Sequence, residues 1–264
     1  MHSNTLSGFA LGLLLVTAAC GGGQQAPAES TETPAAAPTA APVDESTAGN
    51  IAGKVSFEGT APKNEPIKMN ADPACVKAAP GQQTQETYMI GAGGELQNVF
   101  VYVKDGLGDR TFTPPTSPLV FDQKGCRYHP HVFGIMVGQT MQILNSDPTL
   151  HNIHATPGAG MNAEFNTGQP IQGMKTDHTF TTKEVMVPFK CDVHGWMNAY
   201  VGVLDHPYFG TTGADGTFAL NTLPPGTYTI EAWHEKLGAQ TQSVTIGPKE
   251  TKEITFTFKA ATTD

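Results

Sequence analysis

Past residue 50 the chain is built from short runs in which polar and apolar residues alternate, and no stretch of a dozen residues repeats at the helical period. Such runs occur at Gly53-Lys54-Val55-Ser56-Phe57, Val99 to Val103, Met141 to Leu144, Glu184 to Val187, Tyr228-Thr229-Ile230 and Glu253 to Phe258. Clusters of Gly, Pro, Asn and Asp separate them, and 29 Gly and 20 Pro among 264 residues supply the punctuation. Side chains of a strand point alternately to opposite faces, so this text predicts half-buried strands stacked as an all-β sandwich. The length allows one or two such domains once an N-terminal tail is set aside. The run Gly91-Ala92-Gly93-Gly94 is a turn, because no Lys-Ser/Thr follows it as a phosphate loop requires.

Within that text one loop carries chemistry. Cys191, His194 and Met197 follow one another at intervals of three in Phe189-Lys190-Cys191-Asp192-Val193-His194-Gly195-Trp196-Met197. A thiolate, imidazoles and a weak thioether are the donors wanted by a copper ion that cycles between Cu(II) and Cu(I). The second imidazole comes from another strand: Met141 to Asn145 leads through the turn Ser146-Asp147-Pro148 to His151-Asn152-Ile153-His154. Zinc suits the set less well, since it rarely recruits a thioether and prefers four strong donors. Taken singly, each residue has a blander reading as a core Cys, a core Met or a satisfied His.

Both segments resemble the small blue-copper proteins, the cupredoxins, and among them the amicyanin-like branch with its short Cys-x-x-His-x-x-Met loop. The resemblance runs from about residue 95 to 204. It implies a Greek-key β-sandwich and makes His151, Cys191, His194 and Met197 ligands of one type 1 copper. It also implies that Asn152 ties the two ligand segments together and that His154 is not a ligand. In that family the loop histidine presents its edge at the surface, so His194 is expected to be the electron exit, with Gly195 and Trp196 in a docking patch for a redox partner protein. The expected role is that of an electron carrier rather than an enzyme. The alternatives are a copper-holding or copper-delivering protein without fast redox chemistry, and a scaffold module with no metal.

The first 20 residues read as an export leader. Leu6 to Ala19 is apolar but short for a bilayer span, and Thr17-Ala18-Ala19-Cys20 resembles a lipoprotein cleavage box. Two features dissent: Met1 to Ser7 lacks Lys and Arg, and Thr17 stands where Leu is commoner. An ordinary signal peptide cleaved nearby is the alternative. Lipidation of Cys20 would anchor an exported protein to a membrane of the cell envelope, the periplasm of a bacterium. Residues 21–48, rich in Ala, Pro, Thr and Glu, then read as a disordered tether. A net charge of -9 argues against nucleic acid as a partner, because phosphate binding needs a basic surface.

Four cysteines remain to be assigned. If Cys20 takes lipid and Cys191 takes copper, Cys75 and Cys126 are left to pair as a disulfide in an oxidising compartment. The competing reading uses Cys126 with His129 and His131 as a second metal site, weakened by Pro130 between the histidines.

The C-terminal text, Thr212 to Phe218 and then Leu223-Pro224-Pro225-Gly226-Thr227-Tyr228, is similar to the carboxypeptidase regulatory-like domain, a small transthyretin-like β-sandwich. That resemblance implies support for a neighbouring domain and no peptidase activity. Expected boundaries are therefore 1–20 leader, 21–48 tether, 49–205 cupredoxin-like domain with an N-terminal extension, and 206–264 regulatory-like domain. Some sixty residues is short for a complete sandwich, and strand Ile51 to Phe57 is a candidate to complete it. His206 and His234, near this junction, read as structural or solvent-facing.

Overall fold

The computed structural model describes residues 43–260. The first elements are β1 (Gly49–Glu58), β2 (Pro66–Ile67), the short helix α1 (Pro73–Ala78), β3 (Gln83–Thr84) and β4 (Phe100–Asp105). A middle stretch holds β5 (Leu119–Gln123), β6 (Tyr128–His129), β7 (Val132–Met136), β8 (Thr140–Asn145) and β9 (His151–Ala155). It continues with β10 (Phe165–Gln169), β11 (Lys175–Thr179), β12 (Glu184–Lys190) and β13 (Asn198–Leu204). Last come β14 (Phe209–Thr211), β15 (Thr217–Leu223), β16 (Gly226–His234), β17 (Gly238–Ile246) and β18 (Thr251–Lys259).

The middle stretch forms one Greek-key sandwich of the cupredoxin type. Sheet β10-β9-β12-β13-β7 stacks on sheet β11-β8-β5-β6. β13 runs parallel to β7 and β5 parallel to β8, which requires crossovers rather than hairpins. Its core follows from alternation: Phe121, Met141, Ile143, Ile153, Val187, Phe189 and Val201 turn inward from five strands. Phe121 lies at the centre, with ring centroids 5.1 Å from Phe133, 5.1 Å from Tyr128 and 5.3 Å from Phe189. Each such pair is worth about 0.5–1.5 kcal/mol beyond the area it buries. This packing holds the ends of β9 and β12, from which the site is built.

The second sandwich stacks β14-β4-β16-β17 on β15-β1-β18 around Ile51, Val101, Val103, Tyr228, Ile230, Phe256 and Phe258. β4 is buried on both faces. Val101 and Val103 enter this core, while Phe100 and Tyr102 point the other way and pack with Val132, Met186 and Leu204 of the first sandwich. Gly202 of β13 and Gly134 of β7 lie opposite each other and make room for that contact. A methyl at Gly202 would sit 2.4 Å from Phe100 Cζ, and one at Gly134 2.8 Å from Phe100 Cε2.

The sheets do not divide at residue 205, where a sequence-ordered boundary was expected. β1 pairs with β15 and β18, so the strand Ile51 to Phe57 completes the second sandwich as its short C-terminal text suggested, and β4, expected in the first domain, joins it by pairing with β14 and β16. The cause is hydrophobic pairing at long range: Val55 and Phe57 of β1 register with Phe256 and Phe258 of β18. The stretch Val99 to Val103, read as the opening of the cupredoxin-like part, moves with them. The first sandwich is thus inserted between β4 and β14 of the second.

Of the tether expected over 21–48, residues 43–48 are described, and they are held in place. Asp44 accepts from the backbone N–H of Ser46 at 2.9 Å, and Lys249 N–H donates to Thr47 O at 3.1 Å. The leader 1–20, with Cys20, lies outside the described residues. Among the described residues no helix is long and apolar enough to cross a membrane.

Candidate metal centre

The two ligand segments meet because β9 and β12 are antiparallel neighbours, with Phe189 opposite Ala155 and Lys190 opposite His154. His151 opens β9, and the loop from Cys191 to Met197 joins β12 to β13 at the same end. Backbone bonds close that loop: Cys191 N–H donates to Met197 O (3.1 Å) and Met197 N–H to His194 O (2.8 Å). His194 N–H points at Cys191 Sγ (3.3 Å). Asn152 crosses between the segments, accepting on Oδ1 from Asp192 N–H at 2.8 Å and from the Cys191 thiol at 3.2 Å. Its own carbonyl accepts from the Tyr128 hydroxyl. Such bonds fix a loop that strand pairing alone would leave free.

The donor atoms of His151, Cys191 and His194 lie within 4.8 Å of one another, all in buried residues. The two Nδ1 atoms are 2.9 Å apart, and Cys191 Sγ is 3.9 Å from that of His194. Met197 is buried in the same core cluster as Cys191. Each histidine gives its far nitrogen to a carboxylate, His151 Nε2 to Asp147 Oδ2 and His194 Nε2 to Asp72 Oδ2, both at 3.0 Å. An imidazole that donates from Nε2 offers a lone pair at Nδ1. Two such lone pairs facing each other at 2.9 Å beside a sulfur call for a cation. The residues present therefore fit a metal.

Electrostatics point the same way. Burial works against ionising Cys191, but hydrogen bonds from the His151 and His194 rings and from the backbone at Asn152 and His194 outweigh it and bring the thiol down to about 6. Burial also disfavours the charged imidazoles. Asp147 and Cys191 nevertheless hold His151 above the ordinary histidine value, and Cys191 and Asp72 do the same for His194. A thiol ready to ionise beside two imidazoles is a soft, N/S donor set. The carboxylates closest to it are engaged at the Nε2 side, away from the facing Nδ1 atoms.

One expectation about this site is corrected. His194 does not present an edge to solvent: it is 3% exposed. Cys75 and Cys126 are disulfide-bonded, with Cα atoms 5.4 Å apart. That bond sets α1 against the ring, so that Asp72 Oδ2 and, at 3.6 Å, Cys75 Sγ cover it. Trp196 is half-buried, with its ring 5.1 Å from that of His194, and donates from Nε1 to Cys126 O at 3.0 Å. Gly195 alone of the expected docking residues is exposed.

Cys126, His129 and His131 are not brought together. Cys126 is in the disulfide, His129 is exposed against Lys124 O, and His131 pairs with Glu235 Oε1 at 2.6 Å. His154 is half-buried between the carboxylates of Asp192 and Glu164. His206 and His234 are buried rather than solvent-facing. Sequence reasoning passed over Asp147 and Asp72. The first had a local signal, an Asp in the turn four residues before His151; the second had only the Asp-Pro start of a helix, far from the loop it touches.

Residues 197–259 match the model of the carboxypeptidase regulatory-like domain, a match that begins at Met197, just before β13, and ends with β18. No curated protein matches the chain. Among solved structures it is similar to a copper-containing nitrite reductase from Thermus scotoductus SA-01 (22% identity, 38% of this chain and 25% of that one, TM-score 0.32). It is also similar to a purple cupredoxin from Nitrosopumilus maritimus (23% identity, 32% of this chain and 98% of that one, TM-score 0.28). An oxidized mutant of amicyanin is a third (20% identity, 39% and 97%, TM-score 0.30). The chain thus spans a quarter of the nitrite reductase but nearly all of the two small proteins. The assignment of the first sandwich rests on its strand order and pairing.

Proposed function

We propose that this chain is a type 1 copper protein that carries single electrons in the cell envelope, tethered to a membrane through lipid on Cys20. The observation that carries the reading is the convergence of two imidazole Nδ1 atoms and the Cys191 sulfur in buried surroundings. His151, Cys191 and His194 would be the strong donors and Met197 the weak one. Bound copper would supply a one-electron couple, Cu(II)/Cu(I). The chain's part is to hold its donors still: Asn152 braces the loop, and the stacked sheets brace both strands that carry it. A carrier of this kind needs a redox partner protein and no substrate cavity, which is the sense in which it is not an enzyme.

A copper-holding or copper-delivering role is the second reading, and the covered ring of His194 favours it. A closed imidazole slows electron exchange with a partner without weakening metal retention. The two readings separate by colour. Cu(II) loading of the full-length chain, followed by metal analysis and visible absorption, should give one copper per chain with an intense thiolate band near ~600 nm. Stoichiometric copper without that band would leave the holding role, and no copper at all would sink both.

A further inference from the structure

Asp72 occupies a position that neither sandwich supplies. It is the N-cap of α1, where its Oδ1 accepts from the backbone N–H of Ala74 (2.8 Å) and Cys75 (3.4 Å). Its other oxygen, Oδ2, accepts from Thr149 Oγ1 (2.9 Å) and His194 Nε2 (3.0 Å). The helix that carries it hangs between the small β2-β3 ribbon and the Cys75–Cys126 disulfide. One carboxylate therefore joins three things: a helix start, the turn before His151, and the loop histidine 122 residues further on. Asp147 plays the matching part for His151, but it also accepts from the backbone N–H of Gly125 (2.8 Å) and Cys126 (2.7 Å).

We infer that Asp72 is a positioning residue that sets the oxidation-state preference of the copper site. The inference rests on the copper reading above. Two effects act through His194. By accepting from Nε2, Asp72 fixes the tautomer and the ring plane, so that Nδ1 keeps its lone pair toward Cys191 and His151. Its negative charge makes that nitrogen a stronger donor, as outer-sphere carboxylates do for metal-bound imidazoles. A stronger donor and a nearby anion favour the more highly charged ion, so Cu(II) gains over Cu(I). In this chain the loop imidazole is carboxylate-bound, and the half-covered Asp72, with its side chain 21% exposed, is the group that stands between the ring and solvent.

Asp72→Asn is the discriminating variant, because Asn is as good an N-cap as Asp and leaves α1 in place. It removes the charge and, with the amide oxygen retained by the cap, turns an NH2 toward His194. The full-length wild type and variant are loaded with copper, Cu(II) and Cu(I) affinities are measured by competition, and the midpoint potential is titrated. The expected result is an about tenfold loss of Cu(II) affinity with Cu(I) affinity unchanged. That ratio corresponds to a potential raised by about 59 mV for a one-electron couple. Equal loss of both affinities makes Asp72 merely structural and overturns the inference, as does an unmoved potential. A wild type that takes no copper sinks the copper reading and this inference together; a blue wild type with an unmoved variant sinks this inference alone.

Discussion

Cys191, His194 and Met197 differ in how firmly the loop holds them. Cys191 is anchored through its sulfur to Asn152 and His194 and through its N–H to Met197 O. Met197 is held by its backbone and by core packing alone. Replacing Met197 by Gln should keep the copper and lower the reduction potential, since an oxygen donor favours Cu(II) more than a thioether does. Spectroelectrochemical titration checks this, and an unchanged potential would mean that Met197 is not the fourth donor. The convergence of His151 with Cys191 and His194 was legible in the sequence because ligand chemistry demands particular residue types at a loop spacing, and Cys191, His194 and the candidate Met197 share one loop. The environment of His194 was not legible. Whether a ring edge meets water depends on what covers it, and Asp72 and Cys75 reach it through a tertiary contact that leaves no periodic trace near residue 194.

At the scale of elements, α1 and its disulfide lie against the ring of His194 and so bear on access to the site. A helix of six residues is too short to stand alone in water. It is held by the Asp72 cap and by a crosslink spanning 51 residues, worth about 4 kcal/mol on loop-closure entropy. The double variant Cys75→Ala, Cys126→Ala should lower the unfolding free energy by that order. It should also speed electron self-exchange, because the loosened helix uncovers His194. Denaturant unfolding and NMR line broadening of mixed oxidation states measure the two effects; a destabilised variant with unchanged exchange would mean that the helix does not control access. β1, β4, β8, β12, β16 and β18 were legible from alternation; β17, nine residues long, was not. β2, β3, β6 and α1 were not, since two to six residues are too few to show a period. β4 was legible as a strand but not as a member of the second sandwich, because four consecutive buried residues do not say which sheet they join.

Over the whole molecule, the insertion of one sandwich into the other means that the chain crosses between them twice, and buried histidines lie close to the return. His206 follows β13 and His234 ends β16, 3% and 1% exposed, and burial pushes each down to about 4. Asp205 opposes that shift at His206 and Lys183 adds to it; at His234 Glu235 opposes it and His131 adds to it. An unfolded histidine titrates near ~6.5, so between about pH 6.5 and 4 the unfolded chain binds more protons than the folded one. Stability from these groups is thus present above pH ~6.5 and is lost as the pH falls toward ~4. From pH 7 to 4.5 each should withdraw about 2 kcal/mol. The return of β1 was suggested by the shortness of the C-terminal text, but the boundary expected after residue 205 hid the rest of the arrangement, because composition along the chain carries no mark of β4 pairing with strands more than a hundred residues later. Urea unfolding of the metal-free protein across that range tests the claim. His206→Asn and His234→Asn keep an acceptor for the backbone N–H groups that the two Nδ1 atoms now serve, those of Tyr208, Lys236 and Leu237. Each variant should flatten the acid limb of the stability curve, and the pair together should flatten it further. If the double variant loses stability on acidification as steeply as the wild type, the two buried histidines are not its cause.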